Sequence, residues 1–186
     1  MVMSHSTWHC VQMSSSQRTR TAGGVCDVAL ILGIDPSRNM GVALIDADTH
    51  RLEWSTCVNI DMDDGGWRHE QVHTAITRIP RHHEITHWAR EEPMARSMGQ
   101  AKEHGYTCAC VDIAVRATIP WAVHLPDQKP GDWRVRNGLP GNTSKKDGRI
   151  MLHAAELADW VFTTQDEADA YLIARAAHLT LDQVPV

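Results

Sequence analysis

An uninterrupted apolar run that ends in a single carboxylate constrains this chain more than any other feature. Residues 28–34 read Val-Ala-Leu-Ile-Leu-Gly-Ile, and Asp35 and Pro36 follow directly. A run of Val, Ile and Leu without alternation is typical of a strand that is buried on both faces, in the middle of a sheet. Because a buried charge is costly unless a cation or hydrogen bonds satisfy it, Asp35 is a candidate metal ligand.

Length, composition and charge fit one domain with extended ends. The chain has 186 residues, of which 42% are hydrophobic, and none of its apolar runs is long enough to span a membrane. Residues 1–24 show no helix or strand period and predict a flexible arm, followed by a globular domain over residues 25–180 and a tail over residues 181–186. The five cysteines are unevenly spaced, which favours reduced thiols and a cytoplasmic location.

The apolar pattern predicts an α/β domain in which helices flank both faces of a mixed five-stranded sheet. A meander of three strands comes first, and strands then alternate with helices. The predicted strands cover residues 28–34, 41–45, 51–59, 85–91 and 119–125. The predicted helices cover residues 67–78, 97–116 (broken or strained near Gly105), 146–160 and 166–179, and a long loop covers residues 126–148.

Carboxylates stand at the ends of three predicted elements. Asp35 follows the first strand, Glu91 and Glu92 end the fourth, and Asp166 and Asp169 lie three positions apart at the start of the last helix. Residues at that spacing share a helix face, and ligand sites on open α/β sheets form at element ends. Oxygen ligands favour Mg²⁺ or Mn²⁺, and two such ions can promote phosphodiester hydrolysis. Apart from Asp35, which follows a fully apolar strand, each carboxylate alone fits a surface or helix-capping role, whereas the set indicates a metal site.

Four segments in sequence order resemble the RuvC-type Holliday junction resolvases, and in particular their phage-borne members. The segments are Gly33-Ile34-Asp35-Pro36-Ser37, Glu91-Glu92-Pro93, Gly99-Gln100-Ala101 and the helix from Asp166 to Ala174. The resemblance extends over roughly residues 29–177. It implies a ribonuclease H-like fold, a homodimer, and nicking of four-way or branched DNA by paired symmetric cuts that leave a 5′-phosphate, with Mg²⁺ as the cofactor and Mn²⁺ able to replace it.

The resemblance also implies that Asp35, Glu91, Asp166 and Asp169 are the metal ligands. The Glu91-Glu92 pair leaves the second ligand open, since neighbouring side chains in a strand point to opposite faces. Glu91 is favoured over Glu92 because of its position two residues before Pro93.

A basic segment lies between residues 129 and 149. It holds six lysines and arginines against two aspartates, a local charge of +4 in a chain whose net charge is −5. This concentration predicts a surface that contacts DNA phosphates, and the predicted contacts are Arg134, Arg136, Lys145, Lys146 and Arg149. The stretch from Gly138 to Lys145 resembles the glycine-rich segment that precedes a functional lysine in the family, which implies that Lys145 steadies the scissile phosphate.

Four functions other than a junction endonuclease match parts of this sequence. A different ribonuclease H-like nuclease, acting on RNA–DNA hybrid or other structured nucleic acid, would use the same carboxylates. His83-Glu84-Ile85-Thr86-His87 matches the zinc-protease pattern His-Glu-x-x-His, but the pattern needs a helix, whereas Ile85 begins a predicted strand. An ATPase of the actin and sugar-kinase type would need a second, duplicated domain, and an inactive DNA-binding module would not need the full carboxylate set.

Overall fold

Five strands and five α-helices make up the described part of the chain, which in this computed structural model comprises residues 29–61, 65–93 and 98–181. The strands are β1 (Leu30–Asp35), β2 (Asn39–Asp46), β3 (Leu52–Asn59), β4 (Ile85–Arg90) and β5 (Val123–His124). The helices are α1 (Gly65–Thr77), α2 (Met98–Thr118), α3 (Pro130–Arg136), α4 (Arg149–Ala158) and α5 (Gln165–Leu181). The predicted arm over residues 1–24 lies outside the described residues, as does the predicted tail apart from Leu181, which ends α5.

The sheet is mixed, with the strand order β3-β2-β1-β4-β5. β1 to β3 form the predicted antiparallel meander, whereas β1 pairs in parallel with β4 and β4 in parallel with β5. β1 is therefore the central strand, and all six of its residues are buried, as its continuous apolar sequence predicted. The carboxyl ends of β1 and β4 meet at one edge, where the Glu91 amide donates to Ile34 O at 3.1 Å.

Helices cover both faces of the sheet, which confirms the predicted α/β architecture. Leu32 and Ile34 of β1 pack in one core with α1 and α2, and Ile31 packs in a second core with α3, α4 and α5. The alternation places the side chain of Asp35 on the same face as Ile31, under α5. The fold thus delivers the carboxylate of the central strand to the face that carries the last helix.

Four predicted elements need correction. α2 is one continuous helix through Gly105, because a single helical glycine costs only about 1 kcal/mol and tertiary packing outweighs that cost. The predicted loop over residues 126–148 contains α3, which begins with Pro130 at a position where proline is favoured and has Trp133 fully buried. α4 starts at Arg149 instead of residue 146, after Gly148 at a φ of 69°, and β5 is only two residues long.

The His-Glu-x-x-His segment does not form a zinc-protease helix. His83 lies in a single turn of 3-10 helix, and His87 lies in β4. The Glu84 carboxylate is instead paired with the guanidinium of Arg81. The two histidines therefore do not share a helix face, and the zinc-protease alternative is not supported. In the described ranges there is no helix with the length and apolar character needed to cross a membrane.

Candidate active site

Three carboxylates from two distant parts of the chain converge under α5. Asp35 ends β1, Asp166 and Asp169 lie in the first two turns of α5, and one oxygen from each lies within 4.8 Å of the others. Asp35 and Asp169 are both 0% exposed, whereas Asp166 is half-buried. Asp166 and Asp169, which the three-residue spacing predicts to share one face of the last helix, therefore lie together with Asp35.

Two glycines of the sheet allow α5 to approach this closely. A Cβ on Gly33 would lie 2.2 Å from the carbonyl oxygen of Ala170, and one on Gly41 would lie 1.9 Å from that of Asp166. Gly41 is also the residue that pairs with Asp35 across β1 and β2. Any side chain at these positions would push the helix away from the sheet, so the absence of a Cβ sets the distance between Asp166 and Asp35.

The start of α5 is anchored by a buried carboxylate that the sequence motif did not single out as functional. Glu167 is 7% exposed, and its Oε2 accepts a hydrogen bond from Ser55 Oγ of β3 at 2.9 Å. Its backbone N–H donates to Thr164 Oγ1 at 3.2 Å, which is the helix-capping contact expected from the Thr164-x-x-Glu167 pattern. Gln165 Nε2 donates to Asp169 Oδ1 at 2.7 Å and orients that side chain.

Glu91 lies beside the three aspartates but outside the group whose oxygens converge. It follows β4, is 7% exposed, and its Oε1 accepts the indole N–H of Trp133 at 3.0 Å. Burial is the main cause of the raised pKa of Asp35, and the charge of Glu91 adds to it, so the two carboxylates interact. Of the Glu91-Glu92 pair, Glu91 is thus the side chain that lies on the α5 face.

Lys145 reaches into the carboxylate cluster from the loop after α3. Its Nζ lies 3.3 Å from Asp35 Oδ2, and it also contacts Asp169 Oδ2. The Lys145 side chain is 40% exposed, whereas those of Asp35 and Asp169 are 1% and 0% exposed. The ammonium group therefore neutralises part of the buried charge, while part of the Lys145 side chain is exposed to solvent.

The other predicted DNA contacts, which lie in α3 and in the segment up to the start of α4, differ in their partners and exposure. Arg134 donates to Gly141 O at 3.3 Å and stacks its guanidinium 4.9 Å from the ring centre of Trp133, so it partly serves to hold the loop. Arg136 donates to Gln128 Oε1 at 2.7 Å. The residues Lys146 and Arg149 are exposed. α3 and the turn after it therefore present cations beside the acidic cluster.

Burial dominates the electrostatics of the carboxylates. It raises the pKa of Asp35 well above the usual value, and the nearby Lys145 ammonium only partly offsets this effect. Burial likewise raises the pKa of Glu91 and the pKa of Asp166. For Lys145, partial burial disfavours the charge, but the carboxylates of Asp35 and Asp169 hold its pKa above the ordinary value. The cluster thus carries more negative charge than one lysine can compensate.

The donors present fit a hard divalent cation. All the converging atoms are carboxylate oxygens, which is the ligand type that Mg²⁺ and Mn²⁺ prefer. Asp35 Oδ1 is buried and has no hydrogen-bond partner within the described ranges, although a buried carboxylate oxygen normally has one. A cation at this point would coordinate that oxygen and neutralise the excess negative charge.

We expect the metal-free protein to lose stability as the pH rises above the usual carboxyl range. The pKa values of Asp35, Glu91 and Asp166 are raised from reference values of 3.8 to 4.5. Between those values and the raised ones, the folded protein binds more protons than the unfolded chain, so raising the pH favours unfolding. Mg²⁺ at neutral pH should restore the melting temperature because it binds the folded state.

The measurement is thermal unfolding in EDTA and in Mg²⁺ across that pH window, for the wild type and Asp35→Asn. The variant should show a shallower loss of stability with pH and a smaller Mg²⁺ shift. An equal Mg²⁺ shift in both proteins would contradict a metal site at Asp35.

The fold is that of the RuvC-type Holliday junction resolvases. This chain is similar in structure to two solved structures from Thermus thermophilus. One is described as RuvC in complex with a Holliday junction substrate and the other as the RuvC structure. The first covers 83% of this chain and 96% of its own, with a TM-score of 0.67 and 16% sequence identity. The second covers 82% and 96%, with a TM-score of 0.66 and 16% identity. No protein-family model and no curated protein matches the chain.

Proposed function

We propose that this protein is a divalent-metal-dependent endonuclease that nicks four-way or branched DNA junctions. The observation that carries the proposal is the convergence of Asp35, Asp166 and Asp169, with a buried unpartnered oxygen on Asp35, beneath the last helix of a RuvC-type fold. The basic surface next to the cluster supports a polyanionic substrate, and the first of the two similar structures is bound to a Holliday junction.

In this proposal the metal ligands are Asp35, Asp166 and Asp169, with Glu91 as the fourth. Bound Mg²⁺, or Mn²⁺ in its place, would supply Lewis acid stabilisation of the phosphodiester and lower the pKa of a water molecule. The buried carboxylates hold their positions through the sheet and α5 contacts, so little reorganisation is needed when charge develops.

Lys145 is proposed to contact the scissile phosphate. Its ammonium contacts Asp35 and Asp169 and its side chain is partly exposed, so it can turn to a phosphate when cations neutralise the carboxylates instead. Arg134, Arg136, Lys146 and Arg149 are proposed to hold the DNA backbone without reading its sequence. In a homodimer, two such sites related by a two-fold axis would cut two symmetry-related strands of a junction.

The proposal is tested by cleavage of a labelled mobile four-way junction, a linear duplex and an RNA–DNA hybrid of related sequence, with Mg²⁺ or EDTA. We expect paired nicks at symmetric positions of the junction that leave 5′-phosphates, and no cleavage in EDTA. Duplex and hybrid should react at least about 100-fold more slowly, a barrier difference of about 2.7 kcal/mol. Equal rates on hybrid and junction would indicate a general ribonuclease H-like nuclease, and no cleavage of any substrate would refute a nuclease.

A further inference from the structure

A buried tryptophan makes a direct hydrogen bond to the carboxylate at the end of β4. Trp133 is 0% exposed, and its indole N–H donates to Glu91 Oε1 at 3.0 Å. Among the residues that the structure describes, this is the only hydrogen bond of the Glu91 side chain. An indole N–H is a donor only and cannot be turned into an acceptor, so it holds one defined carboxylate oxygen.

Trp133 is itself fixed to the helix that carries the other carboxylates. Asn137, which follows α3, donates from Nδ2 to Trp133 O at 2.7 Å and to Leu172 O of α5 at 2.9 Å. Arg175 of α5 in turn donates to Asn137 Oδ1 at 2.9 Å. These contacts join α3 to α5, so Trp133 is held against the helix that carries Asp169.

Glu91 needs such a support more than the three aspartates do. Its oxygens lie outside the converging group, and its longer side chain has one more rotatable bond than that of aspartate. Its pKa is raised by burial and further by Asp169, and is lowered by Lys145 and by the Trp133 hydrogen bond. The carboxylate is thus close enough to interact with the cluster but is not placed there by its own strand alone.

We propose that Trp133 is a positioning residue for Glu91. Its N–H holds Oε1, and Oε2 would remain available to a cation that Asp35, Asp166 and Asp169 would hold. This inference rests on the proposed metal-dependent function. It assigns a role to a residue of α3, the helix that also carries Arg134 and Arg136, so that one helix would both contact DNA and position the fourth ligand.

The test measures Mn²⁺ affinity by calorimetry on the full chain without DNA. Loss of an outer hydrogen-bond partner of a metal ligand lowers affinity about 10- to 100-fold, and we expect a loss of at least about tenfold in Trp133→Phe. The matched control is Trp121→Phe, which also loses an indole hydrogen bond, to Ile85 O at 3.1 Å, at the opposite end of β4. The control should bind Mn²⁺ within about twofold of the wild type.

A double-mutant cycle separates positioning from general loosening of the core. In a Glu91→Gln background, Trp133→Phe should no longer lower Mn²⁺ affinity, because the two residues act through one contact. An equal loss in both backgrounds would overturn the proposal, and so would wild-type affinity in Trp133→Phe. If Trp133→Phe does not fold, β-(3-benzothienyl)alanine at position 133 keeps the ring size without the N–H and must give the same tenfold loss. A wild type that binds no Mn²⁺ would refute the metal site itself, whereas wild-type binding with an unaffected variant would refute only the role of Trp133.

Discussion

Asp35→Asn should reduce junction cleavage more than about 1000-fold, a rise of about 4 kcal/mol in the barrier, while junction binding persists. Asp35 is the carboxylate of the central strand, and it converges with both aspartates of α5. An amide is neutral and offers only one oxygen, so the variant would lose one of the proposed metal ligands. Binding should survive because the predicted phosphate contacts come from α3 and the segment that follows it.

The same substitution should stabilise the metal-free protein. Burial raises the pKa of Asp35, which means that keeping this carboxylate charged at neutral pH destabilises the folded state. Asn removes that charge and the repulsion from Glu91 and Asp169, and Lys145 keeps its contact with Asp169. The melting temperature in EDTA should therefore be higher in the inactive variant than in the wild type. Such a trade-off is common at functional sites, where a group needed for activity destabilises the fold.

Asp48→Asn is the matched control, since Asp48 is an exposed aspartate in the turn between β2 and β3. It should leave both the cleavage rate and the melting temperature near the wild-type values. Cleavage by Asp35→Asn above a tenth of the wild-type rate would exclude Asp35 as an essential ligand. A fall in its metal-free melting temperature would show that the pairing with Lys145 outweighs the cost of burial.

Local sequence patterns were sufficient to predict the strand that ends in Asp35 and the face shared by Asp166 and Asp169. Both depend on short-range rules: a continuous apolar run for a central strand, and three-residue spacing with a Thr164-to-Glu167 cap for the helix start. The mixed sheet also followed from the order of these patterns. These features survive in the fold because tertiary packing and local preference agree.

The contacts that complete the site could not be read from the sequence because they join distant segments. The sequence predicted a loop over residues 126–148, but burial of Trp133 stabilises a helix there and brings its N–H to Glu91. The pairing of Lys145 with Asp35 and Asp169 was likewise not predicted from the sequence. Such long-range pairings depend on how α3 and α5 pack together, which no local spacing rule encodes.

Gly41→Ala should cause a large loss of stability, about 3 kcal/mol in the free energy of unfolding, at the upper end of the usual cost of overpacking. The added Cβ would lie 1.9 Å from the backbone carbonyl oxygen of Asp166, and no side-chain rotation can relieve a clash with backbone. The start of α5 must move away from β2, and it carries Asp166 with it. Mn²⁺ affinity should therefore fall together with stability.

Gly105→Ala provides the opposite expectation for the same chemical change. Gly105 lies inside α2, and a Cβ there would meet nothing within 4 Å. Alanine in a helix interior is favoured over glycine by about 0.5–1 kcal/mol, so this variant should be more stable and bind Mn²⁺ normally. Denaturant unfolding with linear extrapolation measures both changes. A Gly41→Ala protein as stable as the wild type would mean that α5 does not lie against the sheet at Asp166. That result would also contradict the convergence of the three aspartates.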